Sequence, residues 1–372
     1  MRAAVLRKTG ISGPYDTTRP LGIENVELDE PGPFEVRVRI CAAGVCHSDL
    51  SVVNGDRLRP VPMVLGHEGA GIVEEVGPGV DDLHVGDSVV MVFVPSCGAC
   101  APCLSGRPAL CEPGAAANGA GTLLGGHRRL RCGGEHVHHH LGVSCFAEEA
   151  IVSRRSLVKI DSNVPFEHAA LFGCAVLTGV GAVANTARIE AGSSVAVVGL
   201  GGVGLAAVLG AVAAGARRIV AVDREPKKLD AALALGATDA FDARDPDVVT
   251  HVRTATRDGV DYAFEMAGAV PALELAYKIT RRGGTTVTAG LSHPDRMLTL
   301  QHLSLVAEER TLKGSYIGSA VPVRDIPRYI ELFQRGRLPV DKLLTATLPL
   351  ERINEALAEL DAGRAVRQVV VP

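Results

Sequence analysis

From Ser194 onward the chain carries the pattern that most narrows its fold. Val195-Ala196-Val197-Val198 is an unbroken apolar run, as expected of a strand buried on both faces. Gly199-Leu200-Gly201-Gly202-Val203-Gly204 follows, then an Ala-rich stretch to about Ala214 that reads as a helix. Arg218-Ile219-Val220-Ala221-Val222 makes a second strand, and Asp223 ends it. A lone glycine fingerprint constrains little. Placed between strand and helix, with an acid closing the next strand, it specifies a parallel β-α-β unit built around a dinucleotide. The glycines allow the tight turn and let backbone amides at the helix N-terminus reach a pyrophosphate. Asp223 can accept hydrogen bonds from the adenosine ribose, and its charge repels a 2′-phosphate, so NAD is expected over NADP; neighbouring Arg224 pulls the other way.

Further α/β units continue the pattern at Lys227 to Leu235, Val260 to Phe264, Ala269 to Ile279 and Thr285 to Ala289. Such alternation predicts one doubly wound parallel sheet. The first half reads differently. Glu35 to Ala42 alternates polar and apolar, and short strands at Gly71 to Val76 and Asp87 to Val92 are set off by Gly77-Pro78-Gly79 and Gly86. That pattern predicts a β-rich, barrel-like domain. A chain of 372 residues is also longer than single cores usually grow. Helices near 324 to 335 and 351 to 361, and a last strand from Val366 to Val371, cannot be assigned to either domain by periodicity.

Nine cysteines are present, four of them at Cys97, Cys100, Cys103 and Cys111. Two C-x-x-C steps bend the backbone so that thiolates converge, and Cys111 can close a tetrahedral cage with no open position. A structural zinc site is the expectation; the odd count and the bunching argue against disulfides. Cys46-His47-Ser48-Asp49 and Gly66-His67-Glu68-Gly69 offer a thiolate and an imidazole with carboxylates beside each, and Cys174 can supply a third ligand. Three ligands with an open fourth position make a catalytic zinc site. The spacings are long, however, and Cys and His are also common core residues.

A net charge of −4, no Trp and 3% aromatic residues exclude the basic, stacking surfaces that nucleic acid needs. No run reads as a membrane span, and Met1 to Leu6 reads as a strand rather than a signal peptide, so the expected location is cytoplasmic and the expected partners are small molecules. Residues 113 to 150 are least readable. Their histidines, His136, His138, His139 and His140, lack a recognisable zinc spacing, and a surface or pocket-rim segment is expected.

With both zinc patterns and the dinucleotide fingerprint in this order, the sequence resembles the zinc-dependent medium-chain alcohol dehydrogenases essentially end to end. The segment from 113 to 140 resembles the long-form branch that includes the liver enzymes and the glutathione-dependent formaldehyde dehydrogenases. The resemblance implies an α/β architecture: a GroES-like β-rich catalytic domain over 1–176, resumed at 322–372, and a Rossmann domain over 177–321. It implies a homodimer, NAD, and two zinc ions per chain. Cys46, His67 and Cys174 are implied as ligands of the catalytic zinc, and Ser48 as acceptor of the alcohol proton, unless it merely caps a helix starting near Asp49. Asp49 would orient His67, and Glu68 would sit behind the metal. His47, Thr178, Lys228 and Arg367 join Gly199, Gly201, Gly202, Val203, Gly204, Asp223 and Arg224 as cofactor contacts. Phe93 and Leu141 match pocket positions.

Two departures bear on activity. Many relatives end the proton relay in a histidine where this chain has Ser51, which leaves ribose hydroxyls, His47 or water for the last step. In place of the acidic pair that the glutathione-dependent branch carries after Gly55, the chain has Asp56-Arg57-Leu58-Arg59. The leading expectation is therefore NAD-dependent oxidation of primary, aromatic or medium-chain, alcohols and reduction of the matching aldehydes. A thiol-dependent formaldehyde dehydrogenase or nitrosothiol reductase, with Arg57 or Arg59 meeting the substrate's carboxylates, is the alternative; a nucleotide-binding protein without catalysis is the second.

Overall fold

In the computed structural model, which describes residues 1–372, Ser194–Val198 is a strand with every residue buried. It pairs in parallel with Arg218–Asp223 on one side and Val260–Glu265 on the other. Asp239–Asp242 extends the sheet beyond the first, and Thr280–Thr288 and Thr311–Gly314 beyond the second, giving six parallel strands. The winding reverses beside Ser194–Val198. At such a switch point the carboxyl ends of the strands open a crevice where dinucleotides bind. Val198, Val220, Val222, Val252 and Ile279 form the core on one face. On the fingerprint turn, a Cβ on Gly204 would lie 1.9 Å from the Gly199 carbonyl oxygen, so only glycine lets the helix Gly202–Ala213 close on the turn.

This sheet belongs to a compact unit made of Ala175–Ala320 and Glu331–Leu343. A second unit comprises Met1–Cys174, Val321–Ile330 and Leu344–Pro372. Its organising strand is Glu35–Val45, 11 residues long. Antiparallel partners are Gly69–Val76, Glu149–Ser153 and the terminal strand Arg367–Val371. Those pairings, with Ser88–Met91, Leu157–Lys159 and Leu344–Pro349, complete a seven-stranded sheet. Because Gln368 is paired with Val45, a residue at the far end of the chain is brought to the strand end that leads into Cys46.

A separate six-stranded sheet runs from Leu21–Asn25 through Arg2–Leu6, Met63–Val64, Glu135–His139 and Leu130–Cys132 to Glu27–Leu28. Ala3, Val5, Val64, Leu130 and Val137 pack beneath it. Residues 113 to 150, expected to form a surface or pocket-rim segment, are part exposed and part core. His136 is exposed, but His139 and His140 are each 1% exposed. Alternation along Glu135–His139 turns one side of the strand inward, and the chain then enters the buried run Leu141 to Ala147.

Gly66 joins Met63–Val64 to His67 at φ +92, and a Cβ there would lie 2.6 Å from the Phe146 amide nitrogen. Gly66→Ala is therefore expected to cost about 1 to 3 kcal/mol, with a lowered thermal midpoint. An unchanged midpoint would show that this turn can relax.

Candidate active site

Cys46 ends the strand Glu35–Val45 and caps the helix His47–Val53. Its thiol takes the place of the usual Ser or Thr in a capping box. Asp49 completes the box by accepting the Cys46 backbone N–H on Oδ2 at 3.0 Å. The cap is thus Cys46 and not Ser48, because the helix begins at His47, two residues earlier than expected. The geometry leaves Ser48 half-buried in the first turn and His47 exposed.

The other oxygen of Asp49 faces His67, with Oδ1 3.0 Å from Nδ1. It also accepts the Gly66 N–H at 3.3 Å. Asp49 and His67 are both 0% exposed. Burial alone would raise the carboxyl, but the imidazoles of His67 and His140 hold it down at about 2. For His67, burial pushes the other way, and the charge of Asp49 outweighs it and raises the ring well above its ordinary value. With Nδ1 engaged, Nε2 is left buried and without a hydrogen-bond partner. A buried polar atom in that condition calls for a ligand.

Cys174, at the end of the short helix Ala170–Gly173, supplies the third group. The ligand atoms of Cys46, His67 and Cys174 all lie within 4.8 Å of one another, and all three residues are buried. The Cys174 thiol hydrogen-bonds the Cys46 sulfur and holds Cys46 well below the ordinary thiol range; the same bond, with burial, keeps Cys174 well above it. Two thiols this close do not both ionise alone, whereas a divalent cation would hold both as thiolates. The donor set, two sulfurs and one nitrogen, fits zinc with one position open.

Behind this cluster, Glu68 Oε2 lies 3.2 Å from Arg367 Nη1, with exposures of 0% and 3%. Arg367 also donates to the Val45 carbonyl at 3.1 Å. Burial disfavours its charge, but Glu68, Cys46 and Cys174 more than restore it. Phe93 and Leu141 are both buried. The Phe93 ring stands edge-on to His67 at 5.3 Å and 89°. His140, which motif reasoning passed over, is edge-on to His67 at 5.4 Å and 88°. The only trace of it in the sequence was the histidine run itself.

The remaining candidates fall into separate groups. Asp223 Oδ2 accepts the Leu200 N–H at 2.6 Å and Oδ1 the Glu225 N–H at 3.0 Å, which holds the carboxylate at the end of the fingerprint turn. Gly199, Gly201, Gly202, Val203 and Gly204 form that turn, and a Cβ on Gly201 would meet nothing within 4 Å. That open side suits a dinucleotide's pyrophosphate. Thr178 is buried in the helix Ala175–Gly181, Arg224 is exposed, and Lys228 is half-buried in Pro226–Ala234. Arg57 lies in the loop after His47–Val53, its backbone N–H bonded to the Ser51 carbonyl at 2.8 Å. In the same loop Arg59 Nε is buried without a hydrogen-bond partner.

All nine cysteines are free thiols. The sulfurs of Cys97, Cys100, Cys103 and Cys111 converge within 4.8 Å. Backbone amides already point at them: Ala99 and Cys100 donate to Cys97, and Cys97 and Gly114 to Cys111. The first pair lowers Cys97 to about 6, while burial pushes Cys103 up to about 12. Only a cation would bring all four to thiolate together, and no position is left for substrate.

Comparison with known proteins agrees with this geometry. Residues 32–162 match the alcohol dehydrogenase GroES-like domain, and residues 202–335 the zinc-binding dehydrogenase domain. The chain is 38% identical over 360 residues to alcohol dehydrogenase class-3 of Myxine glutinosa, covering 96% of each. With alcohol dehydrogenase class-3 of Drosophila melanogaster it shares 39% over 362 residues, 96% of this chain and 95% of the relative. Among solved structures, an alcohol dehydrogenase zinc-binding domain protein of Burkholderia ambifaria superposes with TM-score 0.94 at 37% identity, covering 100% of this chain and 98% of that one. Benzyl alcohol dehydrogenase of Acinetobacter calcoaceticus gives 0.92 at 31% identity, with the same coverage. The chain belongs to the zinc-dependent alcohol dehydrogenase family. It is accordingly a zinc oxidoreductase using a nicotinamide dinucleotide, with the GroES-like and Rossmann domains expected from its sequence.

Cys103→Ala is expected to lower zinc content by about one equivalent and to reduce thermal stability, since a closed site contributes folding energy. Full zinc content at an unchanged midpoint would remove the structural assignment.

Proposed function

We propose that the protein interconverts primary alcohols, aromatic or medium-chain, with their aldehydes, using NAD and two zinc ions per chain. The observation that carries the reading is His67 Nε2, buried without a partner beside two thiols while Nδ1 is tied to Asp49. Cys46, His67 and Cys174 would hold the catalytic zinc, and the cysteine quartet the structural one. When bound, zinc supplies Lewis acidity that makes an alcohol hydroxyl easier to deprotonate, and NAD supplies the hydride acceptor.

The chain's own residues do the rest. Asp49 sets the tautomer and tilt of His67, so that its free nitrogen points into the site. Ser48, in the first turn after Cys46, accepts the alcohol proton and passes it outward through His47 or water, because Ser51 cannot serve as a base. The Ser51 hydroxyl is itself committed to the His47 carbonyl at 2.9 Å. Phe93 and Leu141 give the reacting carbon an apolar, water-poor wall. Glu68 with Arg367 keeps a balanced charge pair behind the ligands. On the nucleotide side, Gly199 to Gly204 would receive the pyrophosphate, with Thr178, Arg224 and Lys228 as further contacts and Asp223 favouring NAD over NADP. The family resemblance also supports a cytoplasmic homodimer.

A second reading, thiol-dependent formaldehyde oxidation or nitrosothiol reduction, draws on Arg59. Its buried, unpartnered Nε is a donor for a carboxylate, and Arg57 stands in the same loop.

With the purified protein and NAD, benzyl alcohol should turn over faster than formaldehyde plus a low-molecular-weight thiol; a strict thiol requirement would give the second reading the site. Asp223→Gly should weaken NAD by about tenfold, the scale of a hydrogen bond to a charged group, and relax discrimination against NADP. Unchanged selectivity would sink the ribose contact.

A further inference from the structure

His140 belongs to no motif the proposed reaction uses, yet it lies in a buried polar cluster with Asp49 and His67. Its Nδ1 is 3.3 Å from Asp49 Oδ1, with side-chain exposures of 1% and 0%. The approach is an electrostatic contact and not a hydrogen bond, and Nδ1 has no hydrogen-bond partner elsewhere. A carboxylate shut away from water needs every contact it can find. The two oxygens of Asp49 receive the Cys46 amide at 3.0 Å, the Gly66 amide at 3.3 Å and His67 Nδ1 at 3.0 Å. His140 faces the same Oδ1 as His67, with the two rings edge to face.

We propose that His140 is a positioning residue for the catalytic metal, a second imidazole that clamps the Asp49 carboxylate and thereby sets the orientation of His67. This rests on the reading of Cys46, His67 and Cys174 as metal ligands. The argument turns on what a histidine adds at this position. Packing against His67 does not require a nitrogen, because Phe93 stacks on the same ring in nearly the same geometry, at 5.3 Å and 89°. What His140 contributes beyond packing is a ring nitrogen held 3.3 Å from Asp49 Oδ1, an electrostatic contact that a phenyl ring cannot make. Without it, the carboxylate is held on that side only by Gly66 and by the ring it is supposed to steer. The ring gains freedom, and so does its ligating nitrogen. Partners of this kind affect how tightly a metal is held, because a ligand that wanders spends less time in the bonding orientation.

The test is the rate at which the full-length protein loses zinc to a chromophoric chelator, comparing wild type with His140→Phe and His140→Asn. Phe keeps the ring and removes the nitrogen, whereas Asn removes the ring and keeps a polar nitrogen near the place of Nδ1. Cys46→Ser identifies which release phase belongs to the catalytic site. Zinc should leave that site about tenfold faster in His140→Phe, the scale on which outer partners of a ligand act, and close to the wild-type rate in His140→Asn. Should the Phe variant not fold, His140→Leu takes its place. Equal release from wild type and the Phe or Leu variant would overturn the assignment, as would a rescue by Asn no better than Phe. If wild type itself releases zinc only from the cysteine quartet, the three-ligand reading falls and takes this proposal with it; that outcome is told apart by the missing phase.

Discussion

The site depends on one buried carboxylate. Asp49 has no exposure, and leaving such a charge unpaired costs about 3 to 5 kcal/mol. Its surroundings provide for it on every side. The backbone of Cys46 and of Gly66 donates to it, and the ring of His67 is turned toward it. Each of these contacts also fixes something the chemistry needs. The Cys46 amide bond closes the capping box and sets the start of the helix. The Gly66 bond fixes the turn before His67, and the imidazole bond decides which nitrogen of His67 is free.

The two thiol clusters show how similar side chains serve different ends. Around Cys97 the sulfurs are served by backbone amides, and four donors close on one point. Such a cage holds a loop together and offers nothing to a substrate. Around Cys46 and Cys174 there are two sulfurs and one nitrogen, with aromatic and aliphatic walls in Phe93 and Leu141. Burial and mutual repulsion leave the pair unable to ionise fully without a cation. Two sulfurs and one nitrogen so placed suit a divalent cation, which would hold both sulfurs as thiolates.

No single helix is long and apolar enough to cross a membrane. Charge inside the protein is instead handled by pairing. Arg367 and Glu68 are both nearly inaccessible and neutralise each other behind the Cys46, His67 and Cys174 cluster. They meet because a strand from the end of the chain pairs with Glu35–Val45, whose own end leads into Cys46. A site drawn from residues 46, 67, 174 and 367 is therefore a product of sheet pairing rather than of sequence proximity.

The sequence by itself determined the elements whose physics is local. Val195 to Asp223 could only be strand, glycine turn, helix and strand, because the glycines, the apolar run and the closing acid act within one unit. The Cys97 to Cys111 quartet was readable for the same reason. Spacing alone brings its thiols together. What only the tertiary structure decided are the meetings of residues far apart in the chain. Ser48 was open to being a helix cap, but hydrogen bonds of Cys46 and Asp49 put the cap elsewhere. His140 read only as part of a surface or pocket-rim segment; its place beside Asp49 follows from the pairing of Glu135–His139 with Met63–Val64, which draws the next residues into the core. Periodicity reports which face of a strand is buried, and it says nothing about which distant side chain waits on that face.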